Sequence, residues 1–189
     1  MRSSASNREI EIKLRVASAP AARRLLKAAG FRVLRRRVFE DNCIFDTPEL
    51  MLRRAGSVLR VREAGKISRV TYKGPTAGGR HKSREELEIE ISDAATAALV
   101  LERLRFHPVF RYQKYRTEYS QPGSHGVVTL DETPIGCFLE IEGAPRWIDH
   151  TARRLGFQES EYITASYGRL YQEFSKARGV APGDMIFAS

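Results

Sequence analysis

The stretch EIEIKLRV, from Glu9 to Val16, leaves a folded chain few options. As a strand it carries Ile10, Ile12, Leu14 and Val16 on one face and Glu9, Glu11, Lys13 and Arg15, charges of both signs, on the other. The alternation returns along the chain. LRVR at 59–62 sets Arg60 and Arg62 against Leu59 and Val61, and RVTYK at 69–73 aligns Arg69, Thr71 and Lys73. REELEIEI at 84–91 aligns Arg84, Glu86, Glu88 and Glu90, and YQKYR at 112–116 aligns Tyr112, Lys114 and Arg116. VVTLD at 127–131 ends in Asp131, and FLEIE at 138–142 places Glu140 and Glu142 opposite Leu139 and Ile141. Taken singly, each is an antiparallel strand with its polar side in water. Collectively they fit that reading poorly, because a solvated face drifts towards disordered Ser, Thr, Lys and Gln, whereas Arg and Glu hold one parity in strand after strand. A sheet curled into a barrel, apolar side outward against helices, would gather every charged face into one lumen.

Burying so many charges is costly unless they neutralise one another or hold a ligand. Glu9, Glu11, Glu140 and Glu142, with Asp131 beside them, offer hard oxygen donors with no His or Cys among them, which suits Mg²⁺ or Mn²⁺ rather than Zn²⁺. Lys13, Arg60, Arg62, Lys73, Arg84, Lys114 and Arg116 exceed what those acids need for pairing. Guanidinium forks and ammonium groups are the chemistry that holds phosphate oxygens. A polyphosphate bridging metal and cations satisfies both sets, and phosphoryl transfer needs little beyond in-line positioning, metal clamping and spread positive charge.

Between the strands, helices are predicted over 18–30, from a Ser92 or Asp93 cap to about Arg105, from Pro145 to Gly156, and over roughly Ile163 to Lys176. Gly74–Gly79 and Pro122–Gly126 read as hairpin loops, and Asp46 begins a short helical turn. GPTAGGRHKS bridges two strands and lacks the Gly-Lys-Ser/Thr ending of a phosphate loop, which excludes that motif. With 189 residues and 42% hydrophobic content, one core is expected: a single domain over 1–178 and a loose tail over 179–189. Cys43 and Cys137 lie far apart with no metal spacing, so both are read as reduced and packed. His81, His107, His125 and His150 are scattered and read as surface or turn residues, and Trp147 as core. The start has no apolar leader and no run is long enough to span a bilayer, so a cytoplasmic protein without a membrane partner is expected.

The formal charge of +9 favours an anionic partner. A non-catalytic binder of RNA or polyphosphate should show basic and aromatic residues on one face without carboxylates among them. Here Glu is interleaved with Arg on the same parity, which argues against nucleic acid and for metal.

The ordered set E-x-E-x-K at Glu9, Glu11 and Lys13, then NCIFDTPELMLRRAGSVLRVR, TYKGP, REELEIE, KYR, LDETPIGCFLEIEG and TASYGRLY, resembles the CYTH family, the triphosphate tunnel metalloenzymes, from about Glu9 to Tyr171. The resemblance implies an α+β fold, a closed antiparallel barrel of about eight strands with a charged lumen and helices packed outside. It implies that Glu9, Glu11, Glu140 and Glu142, assisted by Asp131, hold one or two divalent metals. Lys13, Arg60, Arg62, Lys73 and Arg116 would cradle the triphosphate, with Arg84 and Lys114 close by. Glu86 and Glu88 would be counter-charges or ligands of a second metal. Where relatives often carry Tyr before Phe-Asp-Thr-Pro, this chain has Ile44, so a role resting on that tyrosine has no residue there; Tyr112, Tyr162 and Tyr167 are the candidates to replace it. The expected activity is metal-dependent hydrolysis of tripolyphosphate or an organic triphosphate such as thiamine triphosphate, ahead of class IV cyclisation of ATP to cyclic AMP and pyrophosphate. The expected partner is that small-molecule triphosphate, with a homodimer left open.

Overall fold

The computed structural model describes residues 8–188. Eight strands, β1 (Arg8–Val16), β2 (Arg32–Asp46), β3 (Val58–Ala64), β4 (Ile67–Lys73), β5 (Lys82–Ile91), β6 (His107–Ser120), β7 (Val127–Thr133) and β8 (Gly136–Glu142), alternate with α1 (Ala19–Ala28), α2 (Met51–Arg54), α3 (Ala94–Arg103), α4 (Pro145–Arg154) and α5 (Tyr167–Ala177). All strand pairs are antiparallel, and the wall closes in the order β1-β5-β4-β3-β2-β6-β7-β8. The expected α+β barrel is therefore the fold, with its charged parity inward. No helix among the described residues is long and apolar enough to cross a membrane.

The apolar parity faces out and is covered over β1, β7 and β8, whereas Leu87 and Ile89 of β5 stay exposed. Ile12, Leu14, Val128, Leu130, Leu139 and Ile141, on β1, β7 and β8, pack against Ala22 and Leu26 of α1 and Ile148 and Ala152 of α4, all of them fully buried. At roughly 2 kcal/mol per buried aliphatic side chain, this outer layer is a main source of barrel stability. Ser18 caps α1 by accepting from the Ala21 N–H, and Asp93 caps α3 by accepting from Thr96. The β3–β4 turn needs Gly65 in the left-handed region at φ 63°. Trp147 of α4 lies half-buried over Gly126, where an added Cβ would stand 2.3 Å from its ring. Gly126→Ala is expected to cost about 1–3 kcal/mol through overpacking, read as a lower urea midpoint. An unchanged midpoint would mean that the indole simply turns aside.

Three segments differ from the sequence reading. β2 is the strand the alternation missed: it runs for 15 residues, and register shifts between Val33 and Arg35, Arg35 and Val38, and Ile44 and Phe45 break its period. α5 starts at Tyr167, capped by Ser166, rather than near Ile163, because Ile163 makes two backbone hydrogen bonds of 2.9 Å with Lys13 where β5 no longer pairs with β1. Residues 184–187 of the segment after Gly179 are not loose. They lie along β6 where β7 has ended, with Gln113 N–H to Met185 O and Met185 N–H to Arg111 O both at 2.9 Å, and Met185 is fully buried. His81 is also not a free turn residue, since its Nε2 lies 2.8 Å from Asp149 of α4.

Candidate active site

The inward residues line one cavity of about 1410 Å³. Register decides who meets whom: Glu11 lies across from Glu142 and Lys13 across from Glu140 on β8, while Glu9 lies across from Arg84 and Glu11 across from Lys82 on β5. Lys73 reaches both oxygens of Glu9 at 2.8 Å and Glu86 at 3.0 Å. Arg84 donates to Glu9 at 3.1 Å, Lys82 to Glu11 at 2.7 Å, and Lys13 to Glu11 at 3.1 Å, with Glu140 3.2 Å away. Across the lumen Arg62 donates to Glu88 at 2.8 Å, and Arg60 to the Tyr112 hydroxyl at 3.2 Å.

Of the residues singled out from sequence, Glu9, Glu11, Lys13, Arg60, Arg62, Lys73, Arg84, Lys114, Arg116, Glu140 and Glu142 all line this cavity, as do Glu86 and Glu88. Asp131 does not. It is fully buried inside the barrel, beneath the side chains that line the lumen, where it accepts from Lys114 at 2.8 Å, from Arg116 through two bonds of 2.7 and 2.6 Å, and from the Tyr167 hydroxyl at 2.8 Å. Arg116 also pairs with Glu140. Ile44 lines one end of the cavity, and hydroxyls reach the charged region from Tyr112 of β6 and Tyr167 of α5 instead.

Two lumen residues were not legible as such. Lys82, 5% exposed, opens β5 on the parity of Arg84 and Glu86, but the adjoining Gly-rich loop hid it. Glu40, 3% exposed, lies in irregular β2 and pairs with Arg62 at 3.5 Å and Lys114 at 3.6 Å. One is a cation and the other a carboxylate, so together they leave the charge balance as it was. In the middle of the lumen Lys13, Arg60, Arg62, Lys73, Lys82, Arg84, Lys114 and Arg116 are equalled in number by Glu9, Glu11, Glu40, Glu86, Glu88, Glu140, Glu142 and the underlying Asp131, while towards the ends Arg35, Arg36, Arg53, Arg69 and Arg169 outnumber Asp46 and Glu118. The middle of the lumen is close to neutral, and its ends keep a basic excess.

Titration follows from this interleaving. Burial opposes ionisation of Glu140, yet Lys13 and Arg116 hold it well below the ordinary carboxylate range. Burial likewise opposes Glu40, but Lys114, Arg116 and Arg62 bring it down to about 2. At the open end, burial and the neighbouring Glu9, Glu11 and Glu86 push Glu142 up to about 7. Lys82 is brought down to about 8 by burial and by Lys13.

The two carboxylate shifts act on stability with opposite signs. Glu142 binds its proton more tightly folded than unfolded, so stability falls as pH rises from about 4.5 to about 7. Glu40 contributes stability that is complete above about 4.5 and is lost as pH falls towards 2. In a chelating buffer the urea midpoint is expected to peak at about pH 5. The upper limb should be shallow, since Glu142 is exposed, and Glu142→Gln should flatten it. A wild-type midpoint that is level from pH 5 to pH 7 would contradict the crowding of carboxylates at this mouth.

A closed eight-stranded barrel with a charged lumen and helices outside is the architecture of the triphosphate tunnel enzymes. The CYTH domain matches residues 7–167, and the chain belongs to that family, whose members act on triphosphates with the help of a metal. A Methanocaldococcus jannaschii protein with a provisional adenylate cyclase name is 29% identical over 134 residues, 71% of this chain and 75% of that one. Among solved structures, a Vibrio parahaemolyticus protein, also provisionally named an adenylate cyclase, superposes with a TM-score of 0.75 at 22% identity, covering 86% of this chain and 96% of its own. A Pyrococcus horikoshii protein superposes with a TM-score of 0.73 at 27% identity, covering 84% and 96%. A Hippeastrum protein described as having a dominant triphosphatase activity has a TM-score of 0.62 at 21% identity, covering 92% and 97%.

Proposed function

We propose that this chain hydrolyses a triphosphate inside its lumen with the help of a divalent metal, releasing the terminal phosphate. The observation that carries this reading is the even interleaving of cations and carboxylates in the middle of the lumen. A lumen whose middle is near neutral has little net attraction for a polyanion there, so a plain anion binder would be poorly served by it. The arrangement makes sense as an exchange of partners in which phosphate oxygens take the ammonium and guanidinium groups and a cation takes the carboxylates.

The carboxylates suit such a cation. Glu9, Glu11, Glu140 and Glu142 are hard oxygen donors on the adjacent strands β1 and β8, and the upward push on Glu142 and Glu86, which comes from burial first and neighbouring carboxylates second, is one that a divalent ion would relieve. Among the described residues they do not form a closed cage, because Glu9, Glu11 and Glu140 are each turned onto a lysine or an arginine. Mg²⁺ or Mn²⁺ held there would neutralise phosphate charge and lower the pKa of a bound water. Lys13, Lys73, Lys82 and Arg84 on one wall and Arg60, Arg62, Lys114 and Arg116 on the other would grip the phosphate chain from opposite sides. That grip fixes the terminal phosphorus for in-line attack by water and spreads positive charge over the oxygens where charge develops. Asp131 and Glu40 keep Lys114, Arg116 and Arg62 pointed inward.

The test is product analysis by ³¹P NMR, with Mg²⁺ and then Mn²⁺, on tripolyphosphate and on ATP. Orthophosphate with pyrophosphate from tripolyphosphate, or with ADP from ATP, is the expected result. Cyclic AMP with pyrophosphate from ATP would replace hydrolysis by cyclisation, the activity that the names of two relatives suggest. No turnover of either would sink the reading.

A further inference from the structure

The barrel wall has a seam between β1 and β5. The two strands pair only over Arg8–Glu11 and Lys82–Glu85, and past Glu11 the edge of β1 is met at Lys13 by Ile163, from the connector between α4 and α5. β5 opens at Lys82, directly out of the loop 74–81, whose Gly78 and Gly79 lend it no local stiffness. Lys82 is nevertheless only 5% exposed. Its ammonium group lies 2.7 Å from Glu11 Oε1, the same oxygen that Lys13 reaches at 3.1 Å. Fixing a lysine in this way costs up to about 2 kcal/mol of side-chain entropy, and the loop before it adds backbone freedom to be lost.

What fastens the loop lies outside the barrel. Asp149 of α4 has Oδ1 2.8 Å from His81 Nε2 and accepts there from the Tyr162 hydroxyl at 3.3 Å, while its Oδ2 lies 2.9 Å from Arg80. His81 immediately precedes Lys82, and Tyr162 immediately precedes Ile163, so one carboxylate holds the residue next to each side of the seam. The His81 and Asp149 side chains are largely shielded from water. The Arg80 pair with Glu159 at 3.1 Å is exposed on both sides and adds little. α4 is a firm anchor, since Ile148 and Ala152 on either side of Asp149 are fully buried. Asp149, His81 and Tyr162 all lie outside the lumen cavity, and the chemistry proposed above uses none of them.

We propose that Asp149 is a positioning residue for the lumen: it latches the β4–β5 loop onto α4 and thereby holds Lys82 on Glu11, in the path of the phosphates. What Lys82 grips rests on the triphosphate reading above; the latch itself does not. Neighbouring residues at the start of a strand point to opposite faces, so fastening His81 on the outside aims Lys82 at the lumen. With the latch released, the glycines let the loop swing away, and Glu11 keeps Lys13 as its nearest cation. A residue on the outer helix layer then sets how tightly the inside of the tunnel holds an anion.

Amide hydrogen exchange read by mass spectrometry tests the latch in Asp149→Ala, which keeps α4 helical, and in Asp149→Asn, which keeps one acceptor oxygen. The peptide covering 75–84 is expected to exchange about tenfold faster in the alanine variant and by less in the asparagine variant, while the peptide covering 127–142, across β7 and β8, is unchanged. Equal acceleration of both peptides, or of neither, overturns the latch. The consequence for Lys82 is read by calorimetry in Mg²⁺ with the bis-methylene analogue of tripolyphosphate, whose P–C bonds resist hydrolysis. Lys82→Met is expected to bind it about tenfold more weakly and Asp149→Ala several-fold more weakly. The double variant should bind no more weakly than Lys82→Met alone, because a latch has nothing to hold once the lysine is gone. Losses that add in the double variant overturn the positioning role. A wild type that does not bind the analogue removes the triphosphate reading instead, and the exchange result then decides the latch by itself.

Discussion

With Glu140 and Glu142 both replaced by glutamine, triphosphate turnover is expected to fall by roughly a thousandfold or more while affinity for the anion holds or rises. The two effects have one cause. These carboxylates are half of the β1 and β8 donor set facing Glu9 and Glu11, and they are also part of the balance that keeps the middle of the lumen near neutral. Removing them takes away what a divalent ion would grip and leaves Lys13, Lys82 and Arg116 in excess, which attracts polyanions. Steady-state kinetics with tripolyphosphate and calorimetry with the same ligand read the two arms. Glu140 is buried and its loss leaves Lys13 and Arg116 short of a partner, so Glu142→Gln alone, at the exposed mouth, is the companion variant that separates folding from chemistry. Turnover within tenfold of wild type in the double variant would remove β8 from the mechanism. A fall in anion affinity would contradict the neutral-lumen argument.

The contribution of sequence to this picture follows from period and pairing. β1, β5 and β8 were legible because EIEIKLRV, REELEIEI and FLEIE alternate without a break, and a period of two assigns each side chain to one face. Closure of the sheet was argued from too many charges on that face, and the registers bear it out. β2 was illegible because three register shifts put its residues out of phase, and Glu40 was lost with it. The lumen looked basic for a different reason: Glu86 and Glu88, on the same parity of β5, were not set against the cations, although they pair with Lys73 and Arg62, while the missed Glu40 and Lys82 offset one another. Asp131 was placed on the correct parity, but alternation cannot say how deep a side chain sits or that Lys114, Arg116 and Tyr167 converge on it from β6 and α5. The residues after Gly179 have the Pro and Gly content of a loose end, and the unpaired stretch of β6 that Met185 covers exists only once β7 stops short.

Asp131→Asn is expected to cost about 3–5 kcal/mol of stability, because it leaves two buried cations without their shared carboxylate. Tyr167→Phe removes one hydrogen bond to the same group and should cost about 1 kcal/mol. The pair of variants distinguishes a buried counter-charge from a metal donor. As a counter-charge, Asp131 acts whether or not metal is present, so the asparagine variant is destabilised to the same extent in chelator and in Mg²⁺. Tripolyphosphate should then restore more stability to the variant than to the wild type, because its oxygens give Lys114 and Arg116 the anionic partner they have lost. As a metal donor, it would leave the chelated protein nearly unaffected and abolish the stabilisation by Mg²⁺. The four donor contacts on a carboxylate with no exposed surface favour the first outcome, since a metal would have to displace Lys114 or Arg116, the cations needed for the phosphates. Thermal melts of both variants under the three conditions decide between them. A loss of the Mg²⁺ response in Asp131→Asn with little loss of intrinsic stability would move the metal deeper into the barrel, onto β7, and free Glu9 to serve the phosphate cations alone.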